Sequence, residues 1–255
     1  MKPLILITND DGYAARGIQA LTEVAREFGE VVVMAPAQNA SAKSLSLTTK
    51  VPIRVRDIRQ EEGLSSYACD GTPVDCLKLA VEHFCPRRPD LVLSGINHGS
   101  NSSINILYSG TMGAVLEATT LGFPAIGFSL LHHSPDADFE PSQPIVRHLV
   151  SHVLDHGLPP DVALNVNIPR LASADIKAYA SAASRRPSGA TVSRNASTLW
   201  DAPTGGSPAS SYATTRQPTA TNGHSPTATS PWSPSIPITP TFRPSKVCKA
   251  YNNSE

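Results

Sequence analysis

A surplus of charge of either sign is what this chain lacks. Lys+Arg and Asp+Glu both number 21 in 255 residues, so the formal net charge is zero. A neutral chain carries no electrostatic footprint for a nucleic-acid polymer or an anionic membrane. Aromatic residues are scarce, at 5%. No apolar run reaches the roughly 18 residues that a membrane span needs. The short apolar run within residues 1–8 has no cleavage site behind it and passes at once into Asn9-Asp10-Asp11-Gly12, so no signal peptide is expected and a cytoplasmic protein is. The four cysteines (Cys69, Cys76, Cys85, Cys248) show no CxxC spacing, and reduced thiols are expected, with Cys69 and Cys76 buried as small hydrophobes. GxxxxGK[ST] is missing, which excludes a P-loop. The first strand is not followed by GxGxxG, which leaves dinucleotide binding poorly supported.

The average composition hides a break. Residues 1–177 hold 14 Lys+Arg and 19 Asp+Glu, whereas the 78 residues of 178–255 hold 7 and 2, with 25 Ser+Thr, 10 Pro and only 5 Ile+Leu+Val. The second stretch buries too little apolar surface to offset its ordering entropy and is expected as a disordered tail. The first alternates strand and helix signals. Leu4 to Thr8 and Val31 to Met34 are apolar runs of strand length, as strands buried on both faces should be. Ala15 to Phe28 reads as an amphipathic helix stopped by Gly29. Val51 to Ile58 alternates, as an edge or hairpin strand does. Thr72-Pro73 caps a helix to Phe84. Strands at Leu91–Leu93, Pro124–Phe128 and Val162–Val166 and helices at Thr111–Leu121 and Ile145–Leu154 complete the pattern. Such repetition implies an α/β fold, a mostly parallel sheet with helices on both faces.

In such a sheet the ligand site lies beyond the carboxyl ends of the strands. Three motifs fall there. Asn9-Asp10-Asp11-Gly12 follows the first strand. Two adjacent carboxylates repel, and a hard divalent cation, Mg²⁺ or Mn²⁺, removes that cost. An Asx turn closed by Gly12 accounts for the same residues equally well. Ser94-Gly95-Ile96-Asn97-His98-Gly99-Ser100-Asn101 reads as a loop whose backbone approaches a ligand closely. Asn97 can offer a carbonyl oxygen to a metal and Asn101 an amide donor to an anion. Tyr108-Ser109-Gly110-Thr111 opens a helix, where backbone N–H groups and two hydroxyls form an anion site, or where Ser109 or Thr111 simply caps. A metal site and a phosphate site on one rim point to metal-assisted phosphoryl hydrolysis.

The chain resembles the SurE family, the survival-protein 5′-nucleotidases, from about Leu4 to Pro169, through NDDG at 9–12, GTPVDC at 71–76, SGIN at 94–97 and YSGT at 108–111. The resemblance implies a Rossmann-like three-layer α/β/α core and a phosphatase acting on nucleoside 5′-monophosphates with one divalent metal ion. Breadth toward 3′-nucleotides and short polyphosphate is left open. It implies Asp10, Asp11, Ser41 and Asn97 as metal ligands, and Asn101, Ser109, Gly110 and Thr111 as phosphate contacts. Asp10, Asn101 and Ser109 are then the catalytic candidates, with Asp10 a ligand or, alternatively, a phosphorylated nucleophile. Two departures stand out. The family usually carries Ser-Gly where this chain has Ser41-Ala42, and Glu-Gly where it has Glu117-Ala118. A Gly replaced at positive φ costs stability or shifts Ser41.

The larger departure is the tail. The resemblance implies a homo-oligomer built on a long C-terminal hairpin exchanged between subunits, and nothing from Ala178 on matches that hairpin. Read from each codon's third base, however, back-translated residues 179–184 permit RVCRQ and residues 221–234 permit EWALAHGYVSVVP, both similar to family sequence. The expectation is that about 178–234 derives from a shifted frame of a family gene. Two other readings remain in view. One is a catalytically impaired nucleotide- or metal-binding remnant without the hairpin. The other is a glycosylated surface protein, suggested by sequons at Asn39, Asn101 and Asn195 and ranked low because two of them fall in the candidate site.

Overall fold

The computed structural model describes residues 1–134, 136–170 and the backbone of 182–185. Among the described residues eight strands form one sheet: β1 (Leu4–Thr8), β2 (Glu30–Pro36), β3 (Val55–Glu61), β4 (Leu64–Cys69), β5 (Leu91–His98), β6 (Ala125–Leu130), β7 (Val162–Ile168) and β8 (Ala182–Arg185). Their spatial order is β3-β4-β2-β1-β5-β6-β7-β8. The inner pairs are parallel, while the outer pairs β3–β4 and β7–β8 are antiparallel. The helices are α1 (Arg16–Ala25), α2 (Pro73–Leu79), α3 (Gly110–Thr120) and α4 (Gln143–His156).

The two faces of β1 show why the strand is apolar throughout. Ile5 and Ile7 pack into a cluster with Ile18, Leu21, Val146 and Leu149 of α1 and α4. Leu4 and Leu6 pack into a second cluster with Cys76 and Leu77 of α2 and Met112 and Val115 of α3. Helices therefore cover both faces, giving three layers α/β/α. Cys69 and Cys76 are fully buried within the second cluster and unbridged. Among the described residues, no helix is long and apolar enough to cross a membrane.

Several elements differ from expectation. The helix expected over residues 15–28 stops at Ala25; Gly29 serves instead to let the chain pass Pro3, whose carbonyl oxygen lies 2.1 Å from where a Cβ would sit. Strand β4 is unexpected and pairs as a hairpin with β3, which begins later than Val51 and lies at the sheet edge. The Thr72-Pro73 start of α2 is a capping box, with Thr72 and Asp75 bonded reciprocally, but α2 ends in a π-helical turn at Ala80–Phe84. Strand β5 runs through Ser94–His98, which was expected as loop. The sheet also runs past the expected core boundary at residue 177, since β8 pairs with β7. The remainder of the tail, its expected disorder, the shifted-frame reading and the sequon at Asn195 lie outside the described residues.

Candidate functional site

The strand order reverses at β1 and β5: β1 continues outward to β2 on one side and to β5 on the other. The carboxyl ends of these two strands open the crevice in which α/β sheets bind ligands. The residues after β1 divide the labour. Asn9, not either aspartate, closes the turn: its side-chain amide donates to the Gly12 carbonyl at 2.9 Å, and its side-chain oxygen accepts the Gly12 N–H at 3.2 Å. Gly12 has φ +106°, a conformation that favours a residue without a Cβ. The turn chemistry is thus satisfied without Asp10 and Asp11.

Asp10 is 3% exposed and sits at the start of α3. Its Oδ2 accepts the Gly110 N–H at 3.0 Å and its Oδ1 accepts the Thr111 hydroxyl at 2.6 Å. A carboxylate at a helix N-terminus meets the positive end of the helix dipole as well as free N–H donors. Gly110 makes this contact feasible, because a Cβ there would fall 2.7 Å from that of Asp10. Asp11 accepts the His98 N–H at 3.3 Å. Burial pushes the Asp11 carboxyl above its usual 3.8 and the neighbouring Asp10 carboxylate pushes the same way, opposed by the His98 N–H.

The other candidates fall around this pair. Ala40 donates its N–H to the Asp10 carbonyl at 2.7 Å, which brings the segment with Ser41 to Asp10. Ser41 itself is exposed, and its N–H donates to Asn39 Oδ1 at 2.9 Å. Asn97 turns its amide NH₂ to the His98 and Gly99 carbonyls, both at 3.0 Å, so its carbonyl oxygen is the end available to a cation. Ser109 caps α3, its Oγ accepting the Met112 N–H at 3.0 Å, and its hydroxyl proton is left for another partner. Asn101 is 5% exposed and donates a side-chain proton to Ser129 Oγ at 2.9 Å. Such burial is also unsuited to a glycan acceptor.

Two carboxylates, an amide oxygen and a hydroxyl are a hard-oxygen donor set, and a divalent cation would offset both the burial of Asp11 and its repulsion by Asp10. The set fits Mg²⁺ or Mn²⁺ in its chemistry. Among the described residues no group of three or more His, Cys, Asp and Glu gathers as a soft or imidazole site would need. The sequence reasoning missed Asp75, whose carboxylate accepts the Thr48 N–H at 3.1 Å and so ties the 41–48 segment to α2. It also missed Ser129, Asn165 and Asn167 around Asn101. Two asparagines on an otherwise apolar strand were the available signal.

Fold and site together define an α/β protein with an oxygen-rich cluster where the strand order of a parallel sheet reverses, built from an acidic pair, two asparagines and a helix start. The family model for Survival protein SurE matches residues 5–189, twelve residues past the expected core boundary at 177. The chain belongs to the SurE family. It is 52% identical over 168 residues to the 5′-nucleotidase SurE of Bacteroides thetaiotaomicron, a match covering 66% of this chain and 65% of that protein. It is 46% identical over 202 residues to the 5′-nucleotidase SurE of Christiangramia forsetii, covering 78% and 74%. The crystal structure of the SurE protein from Aquifex aeolicus superposes with a TM-score of 0.63 at 41% identity, covering 69% of each chain.

Proposed function

We propose that this chain is a phosphatase that hydrolyses nucleoside 5′-monophosphates to nucleoside and phosphate with one bound divalent cation, Mg²⁺ or Mn²⁺. The observation that carries the reading is the seating of Asp10 on the start of α3 beside Asp11, in a family whose relatives are named 5′-nucleotidases. Asp10, Asp11, Asn97 and Ser41 would hold the cation. When bound, the cation polarises a phosphoryl oxygen and acidifies water.

The chain's own groups do the rest. Gly110 N–H and the Thr111 hydroxyl each hold one Asp10 carboxylate oxygen, which suits a fixed ligand better than an attacking nucleophile. Ser109 spends its oxygen lone pair on Met112 and keeps a proton to donate to phosphate. Asn101 offers an amide proton to the same anion, so that the phosphoryl group is oriented by preorganised donors. Cytoplasmic residence is part of the same proposal; the family-type homo-oligomer is not, because nothing from Ala178 on matches the hairpin that builds it.

The test is phosphate release from nucleoside 5′-monophosphates by the full chain with Mn²⁺ or Mg²⁺, with 3′-nucleotides and short polyphosphate as parallel substrates. Chelation should abolish release, and Asp10→Asn should lower it at least about 100-fold with an unchanged circular-dichroism spectrum. Release that survives chelation, or wild-type turnover by Asp10→Asn, would overturn the proposal. A chain that binds nucleotide and cation but releases no phosphate is the impaired remnant instead.

A further inference from the structure

Strand β7 reads Val162-Ala163-Leu164-Asn165-Val166-Asn167-Ile168. Asn165 is buried, and a buried amide costs free energy unless its donors and acceptors are paired. The pairing converges on one residue. Asn167 Oδ1 accepts the Asn101 N–H at 2.9 Å. Asn165 Nδ2 donates to the Asn101 carbonyl, also at 2.9 Å. The two asparagines are joined to each other, Asn167 Nδ2 donating to Asn165 Oδ1 at 3.1 Å. From β6, Ser129 Oγ accepts a proton of the Asn101 side chain at 2.9 Å.

Asn101 belongs to neither a strand nor a helix, so no ladder fixes its main chain. Side chains from two neighbouring strands replace the ladder, gripping its N–H, its carbonyl and one of its two amide protons. What remains is the other amide proton and the side-chain oxygen, held in one orientation. A donor fixed in this way requires no reorganisation when charge develops on a ligand.

We propose that Ser129, Asn165 and Asn167 are positioning residues that act through Asn101, setting its amide toward the phosphoryl group of the substrate. The inference rests on the phosphatase reading and on Asn101 as a phosphate contact. It adds that the rigidity of that contact comes from β6 and β7.

A double-mutant cycle tests it on the full chain with Mn²⁺. Asn165→Ala and Ser129→Ala are each measured alone and combined with Asn101→Ala, by kcat/KM for a nucleoside 5′-monophosphate and by equilibrium binding of inorganic phosphate. Each single variant should lower kcat/KM roughly 10- to 100-fold and weaken phosphate binding, as a displaced contact does. Each double variant should be no worse than Asn101→Ala alone, because the clamp then has no amide to aim. If the losses multiply, or if the single variants stay within about twofold of wild type, the clamp is refuted. Ser129→Ala exchanges a buried hydroxyl for hydrogen and decides the matter should Asn165→Ala fail to fold. If Asn101→Ala alone changes neither turnover nor phosphate binding, Asn101 is not a phosphate contact and the clamp falls with it. If turnover is absent but phosphate binding follows the cycle, the clamp stands and the phosphatase reading fails.

Discussion

Ala42→Gly should stabilise the protein. Ala42 has φ +63°. A residue with a Cβ pays about 1–2 kcal/mol in the left-handed region, a cost glycine escapes. Glycine loses part of that gain because its unfolded chain is more flexible, by about 0.4–1 kcal/mol. The net expectation is a gain of about 0.5–1 kcal/mol. The strain has no easy escape, because the segment is tied at both ends. Ala40 N–H donates to the Asp10 carbonyl at 2.7 Å, Lys43 N–H to the Ala40 carbonyl at 3.2 Å, Ser46 N–H to the Lys43 carbonyl at 3.1 Å, and the Ser44 hydroxyl to the Leu107 carbonyl. The Ser44 carbonyl lies 2.3 Å from where a Gly113 side chain would begin, so the segment rests directly on α3. For a domain of this size the melting temperature should rise by about 1–4 °C. Thermal unfolding followed by circular dichroism is the assay, with Ala40→Gly as control. Ala40 is not at positive φ, so its replacement should destabilise. An Ala42→Gly melting temperature at or below wild type would refute the strain argument.

Gly110→Ala places a methyl 2.7 Å from the Asp10 Cβ and 3.0 Å from its Oδ2, so phosphate release should fall at least about 100-fold while the far-UV spectrum stays native. Asp75→Ala removes the acceptor shared by Thr72 and Thr48 and breaks the capping box, which should cost about 1–3 kcal/mol in urea unfolding. Asp90 accepts the Leu4 N–H and an Arg87 N–H, both at 2.7 Å, and these bonds hold its carboxyl below the usual 3.8. A lowered carboxyl contributes stability above its unfolded value and loses it as pH falls through the folded value. Asp90→Asn should therefore be less stable than wild type at pH 7, by no more than about 1 kcal/mol at this half-exposed site, with the gap closing below pH 3.8 in pH-jump unfolding.

The buried parallel strands were legible because Leu4–Thr8 and Val31–Met34 have no polar face to place, and that pattern has few other uses. Strand β4 was not. Its middle residues Ser65, Ser66 and Tyr67 are half-buried at the flank of the sheet, where neither strict alternation nor a continuous apolar run is imposed. The stretch from Ser94 to Asn101 reads as a loop because its two glycines, Gly95 and Gly99, normally interrupt a strand. Here Gly95 takes φ +125° within β5, and pairing with β6 resumes after a register shift between Ser94 and Asn97. The candidate ligands were legible as residue types placed after strands. Their supports were not, because Asp75, Ser129, Asn165 and Asn167 lie remote in the chain and become relevant only once the sheet order sets them beside the site.

The two departures from the family pattern are equal in the sequence and opposite in the structure. Ala118 lies in the interior of α3, fully buried in the cluster that joins α2 and α3 to the sheet. There alanine gains about 1 kcal/mol over glycine in helix propensity, and its methyl adds apolar contact in the core. Ala42 lies at positive φ, where the same exchange costs about 0.5–1 kcal/mol. One substitution roughly offsets the other, so stability alone gives no reason for the chain to have lost its fold. The two are not equivalent for the site. Ala118 lies eight residues beyond the first residue of α3, whereas Ala42 adjoins Ser41, and any relaxation of its strain moves the hydroxyl proposed to complete the oxygen set around Asp10 and Asp11. The cost of Ala42 should therefore be felt in folding stability, and in cation affinity as far as Ser41 shifts.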